Sequence, residues 1–212
     1  MACLARSAHA DGPTLDARVD LGVRTSSTDR SGYAEVFDDT SSIRFAADAL
    51  VGVRLGSVVV GAHGGVATPL TLDSVQYFGE AEVLPGTTSK IYPVDLGLGA
   101  ELDTHHGVWF SGWIGATFAV AHASSPAVFL NNIDAYGQVP AVAWRYSTTS
   151  LGFGVAVGYE LVRNEYGRVS GVLGIDSQGI GPAPLRNNRG AIGKDSTDLT
   201  TTSLTLGVAY AY

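Results

Sequence analysis

Along most of the chain large apolar residues recur at every second position, and this alternation restricts the fold more than any other feature. Successive side chains of a β-strand point to opposite faces, so a period of two describes a strand with one apolar face. At the C-terminus Leu204, Leu206, Val208, Tyr210 and Tyr212 share a face, with Thr205, Gly207, Ala209 and Ala211 on the other. Residues 151–161 set Leu151, Phe153, Val155, Val157, Tyr159 and Leu161 against Gly152, Gly154, Ala156, Gly158 and Glu160. Residues 92–102 set Tyr92, Val94, Leu96, Leu98, Ala100 and Leu102 against Pro93, Asp95, Gly97, Gly99 and Glu101. The first segment sets Leu15, Ala17, Val19, Leu21 and Val23 against Asp16, Arg18, Asp20, Gly22 and Arg24. No stretch keeps a helical stripe.

Four further segments complete the set. Residues 43–55 carry Phe45, Ala47, Ala49, Val51, Val53 and Leu55 opposite Arg44, Asp48, Gly52 and Arg54. The others are 58–68, 108–122 and 168–178. In 108–122 the aromatics do not share one face; Phe110, Ile114, Phe118 and Val120 are assigned outward and Trp113 inward. Three connections are short and rich in turn formers: Leu55-Gly56-Ser57, Asp103-Thr104-His105-His106-Gly107 and Arg163-Asn164-Glu165-Tyr166-Gly167. Between them lie long ones, at about 26–42, 70–90, 123–146 and 179–198. Strict alternation of short and long connections is the layout of an up-and-down outer-membrane barrel, with both termini at the short-turn end.

Which face meets lipid follows from three observations. The apolar faces run for five or six positions, close to the ~9–11 residues a tilted strand needs to cross a bilayer. The opposite faces are mostly Gly, Ala, Ser or Thr, which suits the interior of an eight-stranded barrel, just wide enough for side chains to fill. The charges on those faces have mixed signs: Asp16, Asp20, Asp48, Asp95, Glu101 and Glu160 against Arg18, Arg24, Arg44 and Arg54. Paired inside a lumen they neutralise one another, whereas a lone buried charge is costly. The fold expected is therefore all-β, an eight-stranded antiparallel up-and-down transmembrane β-barrel. No run of 18 apolar residues is present, so a membrane-spanning helix is excluded. A closed barrel is then the remaining way to satisfy every backbone group in hydrocarbon.

Composition agrees. Of 212 residues 16% are charged, Gly numbers 27, and the only lysines are Lys90 and Lys194, so the Lys- and Glu-rich surface of a soluble domain is missing. A net charge of −7 argues against nucleic acid. The one cysteine, Cys3, precedes Ala8-His9-Ala10, an A-x-A cleavage pattern. We read 1–10 as the remnant of a cleaved signal peptide and 11–212 as one barrel domain. A mature chain without cysteine suits an exported protein.

The layout over about 14–212, together with the ending Leu204-Thr205-Leu206-Gly207-Val208-Ala209-Tyr210-Ala211-Tyr212, resembles the small outer-membrane β-barrel superfamily, the OmpA/OmpX-like group. In that family such an aromatic-terminated ending, more often Phe than Tyr, resembles the signal read by the barrel-assembly machinery. The resemblance implies outer-membrane lipid, lipopolysaccharide and that machinery as partners, a Gram-negative cell envelope and long loops facing outward. No peptidoglycan-binding domain of the OmpA type follows the barrel within these residues.

Candidate chemistry is sparse. His122-Ala123-Ser124 places a His and a Ser on the lipid-facing side near the outer end of a strand, as in outer-membrane lipid A deacylases, where His activates Ser. Asn131 and Asn132 follow, and neither Glu160 nor Asp134 is placed to orient the imidazole. His105 and His106 adjoin Asp103 and Glu101, but adjacent turn residues point apart and metal-ligand spacing is absent. His63 is expected in the lumen as a hydrogen-bonded residue. Glu35, Asp38 and Asp39 make the first long loop acidic; Arg186, Arg189 and Lys194 make the last one basic, suited to lipopolysaccharide phosphates. Gly61, Gly64 and Gly65 lack the Lys-Ser/Thr of a phosphate loop. No catalytic, cofactor or metal residue is assigned. The function expected is that of a non-enzymatic scaffold displaying four loops for adhesion, surface protection or envelope integrity. Its rivals are a lipid A deacylase-like hydrolase and a soluble lipocalin-like carrier, and a wide porin is disfavoured because eight strands leave a filled interior.

Overall fold

The computed structural model describes residues 13–28, 41–73, 88–104, 106–132, 135–181, 184–186, 192–194 and 199–212. Every regular element among them is a strand. In chain order these are β1 (Thr14–Thr28), β2 (Ser41–Leu55), β3 (Val58–Ala67), β4 (Leu70–Asp73), β5 (Thr88–Asp103), β6 (Val108–Ser125), β7 (Val128–Asn132), β8 (Ala135–Val139), β9 (Val142–Asn164), β10 (Gly167–Gly181), β11 (Pro184–Arg186), β12 (Ile192–Lys194) and β13 (Leu199–Ala211). The expected leader remnant, residues 1–10, lies outside the described residues.

All pairings in the large sheet are antiparallel, and the sheet closes on itself. Its order is β3-β2-β1-β13-β10-β9-β6-β5-β4, and β3 also pairs with β5. β4 continues the wall position of β3 along β5, so the ring has eight positions, as the sequence predicts. The seam between the first and last strands runs from Arg18↔Ala211 to Thr28↔Thr201. The Tyr212 backbone N–H donates to the Ala17 carbonyl at 2.9 Å, and Ala17 N–H donates back at 3.4 Å. With no open edge, backbone groups in the spanning region are satisfied within the wall.

The short turns lie where expected. Leu55 pairs directly with Val58, leaving Gly56-Ser57 as a two-residue loop. Gly56 has φ +64 at the first central position, the residue a type II′ hairpin takes there. Asn164 pairs with Gly167, and the Asn164 side-chain oxygen accepts from the N–H groups of Tyr166 (2.9 Å) and Gly167 (3.1 Å).

Several boundaries differ from the sequence reading. The wall is taller than the apolar runs, with β6 reaching Ser125 and β9 starting at Val142. The connections expected at 123–146 and 179–198 hold hairpins of their own, β7–β8 and β11–β12. The connection expected at 70–90 contains β4 and the start of β5. Alternation also slips twice. Val169 pairs with Val162 but Ser170 with Glu160, so Leu161 is an extra residue and both Leu161 and Val162 face outward. At Thr68-Pro69 the inward parity shifts from odd (Val59, His63) to even (Leu70, Leu72). There Thr68 is tied to Phe45 through backbone and side chain, at 2.8 and 3.0 Å.

Candidate functional site

The outward side chains are those the alternation assigns. Leu98 is 70% exposed, Leu206 69% and Phe45 70%, values that belong to lipid contact rather than to a water-facing surface. Across β5, β6 and β9 the register stacks them in rows: Leu102–Phe110–Val157, Leu98–Ile114–Phe153, Leu96–Ala116–Leu151 and Tyr92–Val120–Ser147. From Leu102 to Tyr92 is ten residues, or about 33 Å of strand, which at the usual tilt spans about 25 Å of membrane height. Phe110, Tyr159, Tyr166, Tyr210 and Tyr212 are exposed near the short-turn end, where aromatic rings favour the interface.

Inside this belt the lumen is filled by ions. Arg18 pairs with Glu101 and with Asp20 (2.9 Å), and its guanidinium lies over Trp109, 4.3 Å from the ring centroid. Arg168 pairs with Glu101 and Asp103; Arg54 pairs with Asp103 (2.6 Å) and Asp16 (2.5 Å). Further along, Arg24 bridges Asp48 (3.0 Å) and Asp176 (3.4 Å), and His63 stacks on Trp113 with ring centroids 4.4 Å apart. Arg44 donates to the hydroxyls of Ser26 and Ser203, while Asp95 accepts from Thr117 (2.6 Å) and Gln178. A Cβ at Gly158 would stand 2.1 Å from the Trp109 ring, so this small inward residue makes room for the indole.

Sequence reasoning brought Asp16, Arg18, Asp20, Arg24, Asp48, Arg54 and Glu101 correctly into this network. It missed Arg168, Asp103 and Asp176. On the sequence pattern Asp103 belongs to a turn, and Arg168 and Asp176 stand in a run, 168–178, whose alternation is weaker. Two placements are corrected. Glu160 keeps the inward register opposite buried Ser170, but its partner is exposed Arg163 at the rim (2.5 Å) and not a lumen arginine, because the bulge at Leu161 brings residue 163 onto the same face. Arg44 is held by hydroxyls rather than by a carboxylate.

Towards the long-connection end the pattern inverts. Leu70, Leu72, Ile91, Ala119, Ala121 and Ile180 point inward and form a buried apolar cluster, with Tyr146 packed against it. The outward residues on the same strands become polar: Thr71, Lys90, His122, Ser124 and Arg145 are all exposed. On β4, β5, β6 and β9 the outside below this level is apolar and the lumen ionic; above it the outside is polar and the inward residues form the apolar cluster, with Ser89 and Ser125 buried beyond it. A wall takes the polarity of whatever solvent it meets, so the inversion marks the edge of the hydrocarbon.

His122 and Ser124 are both exposed and outward, as expected. They make no hydrogen bond to each other among the described residues, and the ring contact of His122 is edge-on with Tyr92 at 5.7 Å. Its register neighbours are Lys90 and Arg145. His106 is exposed in its turn, while His105 lies outside the described residues. Among the described residues no group of three His, Cys, Asp or Glu side chains is arranged to hold a metal ion. The acidic 35–39 segment and Arg189 also fall outside them.

A closed ring with an apolar belt and an ionic lumen leaves one architecture. The chain has the fold of the small outer-membrane β-barrels. Ail, the attachment invasion locus protein of Yersinia pestis, in complex with the heparin analogue sucrose octasulfate, is similar over 93% of this chain and 99% of its own, at 14% identity and a TM-score of 0.54. A second structure of Ail matches over 93% of this chain and 98% of its own, at 14% identity and a TM-score of 0.50. Neisserial surface protein A covers 94% of this chain and 99% of its own at 19% identity, but its TM-score of 0.42 adds nothing to the argument. No family model matches the sequence, and no curated protein matches it. The likeness speaks for the fold, and with the exposed belt it places the molecule in the outer membrane. A soluble carrier with an apolar cavity does not fit, since the apolar surface is outside and ions fill the lumen.

Proposed function

We propose that this barrel is a non-enzymatic outer-membrane scaffold whose long connections, displayed outside the cell, serve adhesion, surface protection or envelope integrity. The observation that carries this reading is the packed lumen: ion pairs, indoles and buried hydroxyls fill it, with an apolar cluster towards the long-connection end. Such an interior favours a support for loops over a conduit. Lipid and lipopolysaccharide surround the belt in this reading, and the C-terminal strand is the part offered to the barrel-assembly machinery. The loop ligand is left open; the sulfated sugar bound by Ail makes sucrose octasulfate a reasonable first probe.

The test replaces 128–139 and 184–194 by short Gly-Ser turns in the host bacterium and scores surface adhesion, serum survival and detergent sensitivity. The trimmed protein should reach the membrane in normal amount yet behave like a deletion in at least one assay. Wild-type behaviour in all three would contradict the scaffold role. Deleting Tyr212 should lower the amount of barrel in the membrane much more than it lowers the stability of barrel refolded in detergent. Equal membrane levels would contradict the assembly signal, whereas loss of refolding would assign Tyr212 to seam closure through Ala17.

The deacylase reading rests on the shared outward face of His122 and Ser124. It lacks a carboxylate to orient the imidazole among the described residues, and cations flank the ring instead. His122→Ala should leave lipid A acylation unchanged; altered acylation would establish the enzyme.

A further inference from the structure

Lys90, His122 and Arg145 stand directly opposite one another on three adjacent strands. The register gives Lys90↔His122 between β5 and β6 and His122↔Arg145 between β6 and β9. All three face outward and are exposed. Thr71 on β4 extends the same row, opposite Lys90. Neighbouring strands are about 4.8 Å apart, so the basic row spans about 10 Å. A shallow depression joins the three side chains with Thr88 and Ser124.

Two physical points make this row unusual. The first is the charge that Lys90 and Arg145 bring to either side of His122, two strands apart. Yet among the described residues Lys90, His122 and Arg145 have no ion-pair partner, although the lumen of the same protein pairs nearly all of its arginines. The acid nearest in register is Asp73, one row further out and opposite Thr88. The second point is height. The row sits one step beyond Tyr92 and Val120, where the wall changes from apolar outside to polar outside. It therefore lies at the level of lipid headgroups, facing lipid rather than the lumen or the loop tips.

We propose that Lys90, His122 and Arg145 bind the phosphate of an outer-leaflet glycolipid, with the lipid's acyl chains lying along the apolar rows below. Lys90 and Arg145 supply charge from either side, and the ring of His122, held edge-on by Tyr92, offers a donor between them. The hydroxyls of Thr71, Thr88 and Ser124 are placed to meet the remaining oxygens and the sugar. Charge-assisted bonds of this kind are about twice as strong as neutral ones, and Arg suits phosphate geometry. The inference rests on the outer-membrane reading and adds to it a specific lipid site.

The test reconstitutes the full barrel into nanodiscs and measures retained lipid A by native mass spectrometry, using phosphorylated and enzymatically dephosphorylated lipid A. Wild type should hold the phosphorylated form, and Lys90→Gln/Arg145→Gln should weaken its retention about ten- to a hundredfold. Arg163→Gln, an exposed cation at the opposite rim, serves as the control and should change nothing. Equal retention by wild type and the double variant, or equal retention of the two lipids, would overturn the proposal. Displacement of the lipid by millimolar inorganic phosphate would also overturn it, by making this a free-anion site. Heat-modifiable migration of each variant on gels reports the folded barrel separately. A wild type that never inserts would refute the membrane reading, and inserted variants with unaltered retention would refute only the lipid site.

Discussion

The membrane girdle and the outer rim of this barrel share the same strands but obey opposite rules. On β5, Leu96 and Leu98 point out and Asp95 points in; a few residues earlier, Lys90 points out and Ile91 points in. The backbone does not change. What changes is the medium on the outside, and the interior changes with it. Within hydrocarbon the exterior needs no partner and the lumen can hold ions, provided each is shared among several groups. Above hydrocarbon β4, β5, β6 and β9 behave like a soluble sheet, with an apolar cluster inside and polar residues outside.

The largest expected effect probes the ionic half. Glu101 is shared by Arg18 and Arg168, so Glu101→Leu leaves two buried guanidinia short of a partner and should cost about 3–5 kcal/mol. Urea unfolding from lipid vesicles measures this, and a neutral result would mean the network contributes nothing. Next comes the apolar half. Leu72 is fully buried, and Leu72→Ala should cost about 2–5 kcal/mol because it leaves a cavity. Leu98→Ala in the belt should cost only about 1–2 kcal/mol, since lipid closes over the gap and only transfer is lost. Equal costs would erase the distinction between the two regions.

A smaller contrast uses one face of one strand. Val155→Arg lies within the belt on β9 and should cost about 2–4 kcal/mol, while Ser147→Arg, near the boundary on the same face, should cost about 0–1 kcal/mol. Refolding yield and urea midpoints report both. A cost at Ser147 equal to that at Val155 would move the boundary outward. Smallest of all is the exposed Glu160–Arg163 pair, where Arg163→Gln should change stability by no more than about 1 kcal/mol.

The girdle was legible in the sequence because period-two patterning is strict there. Leu204, Leu206 and Val208 need only alternate to be placed, and the pairing of Arg18 and Arg24 followed from parity alone. The rim was not legible, for a physical reason. With apolar residues inside and Lys90 and His122 outside, its pattern is the girdle's in reverse, and parity slips at Thr68-Pro69 just where β4 begins. Leu70 and Leu72 therefore fall in a connection on the sequence pattern, and Ile91 just outside the run that begins at Tyr92. The basic row was invisible for a different reason: residues 90, 122 and 145 are far apart in sequence, and only the strand register brings them together. His122 was singled out for its Ser neighbour, yet its cross-strand neighbours define its surroundings.

The central claim is that hydrocarbon meets the outward face from Leu102 to Tyr92 and stops before Lys90. Cys3 is the only cysteine of the chain, so on a Cys3→Ser background single cysteines carrying a small fluorophore can be placed along β5. Nitroxide-labelled lipid should quench Val94→Cys, Leu96→Cys and Leu98→Cys strongly in vesicles and leave Lys90→Cys to water-soluble quenchers. Quenching at Lys90 as strong as at Leu96, or none at Leu96, would contradict the account.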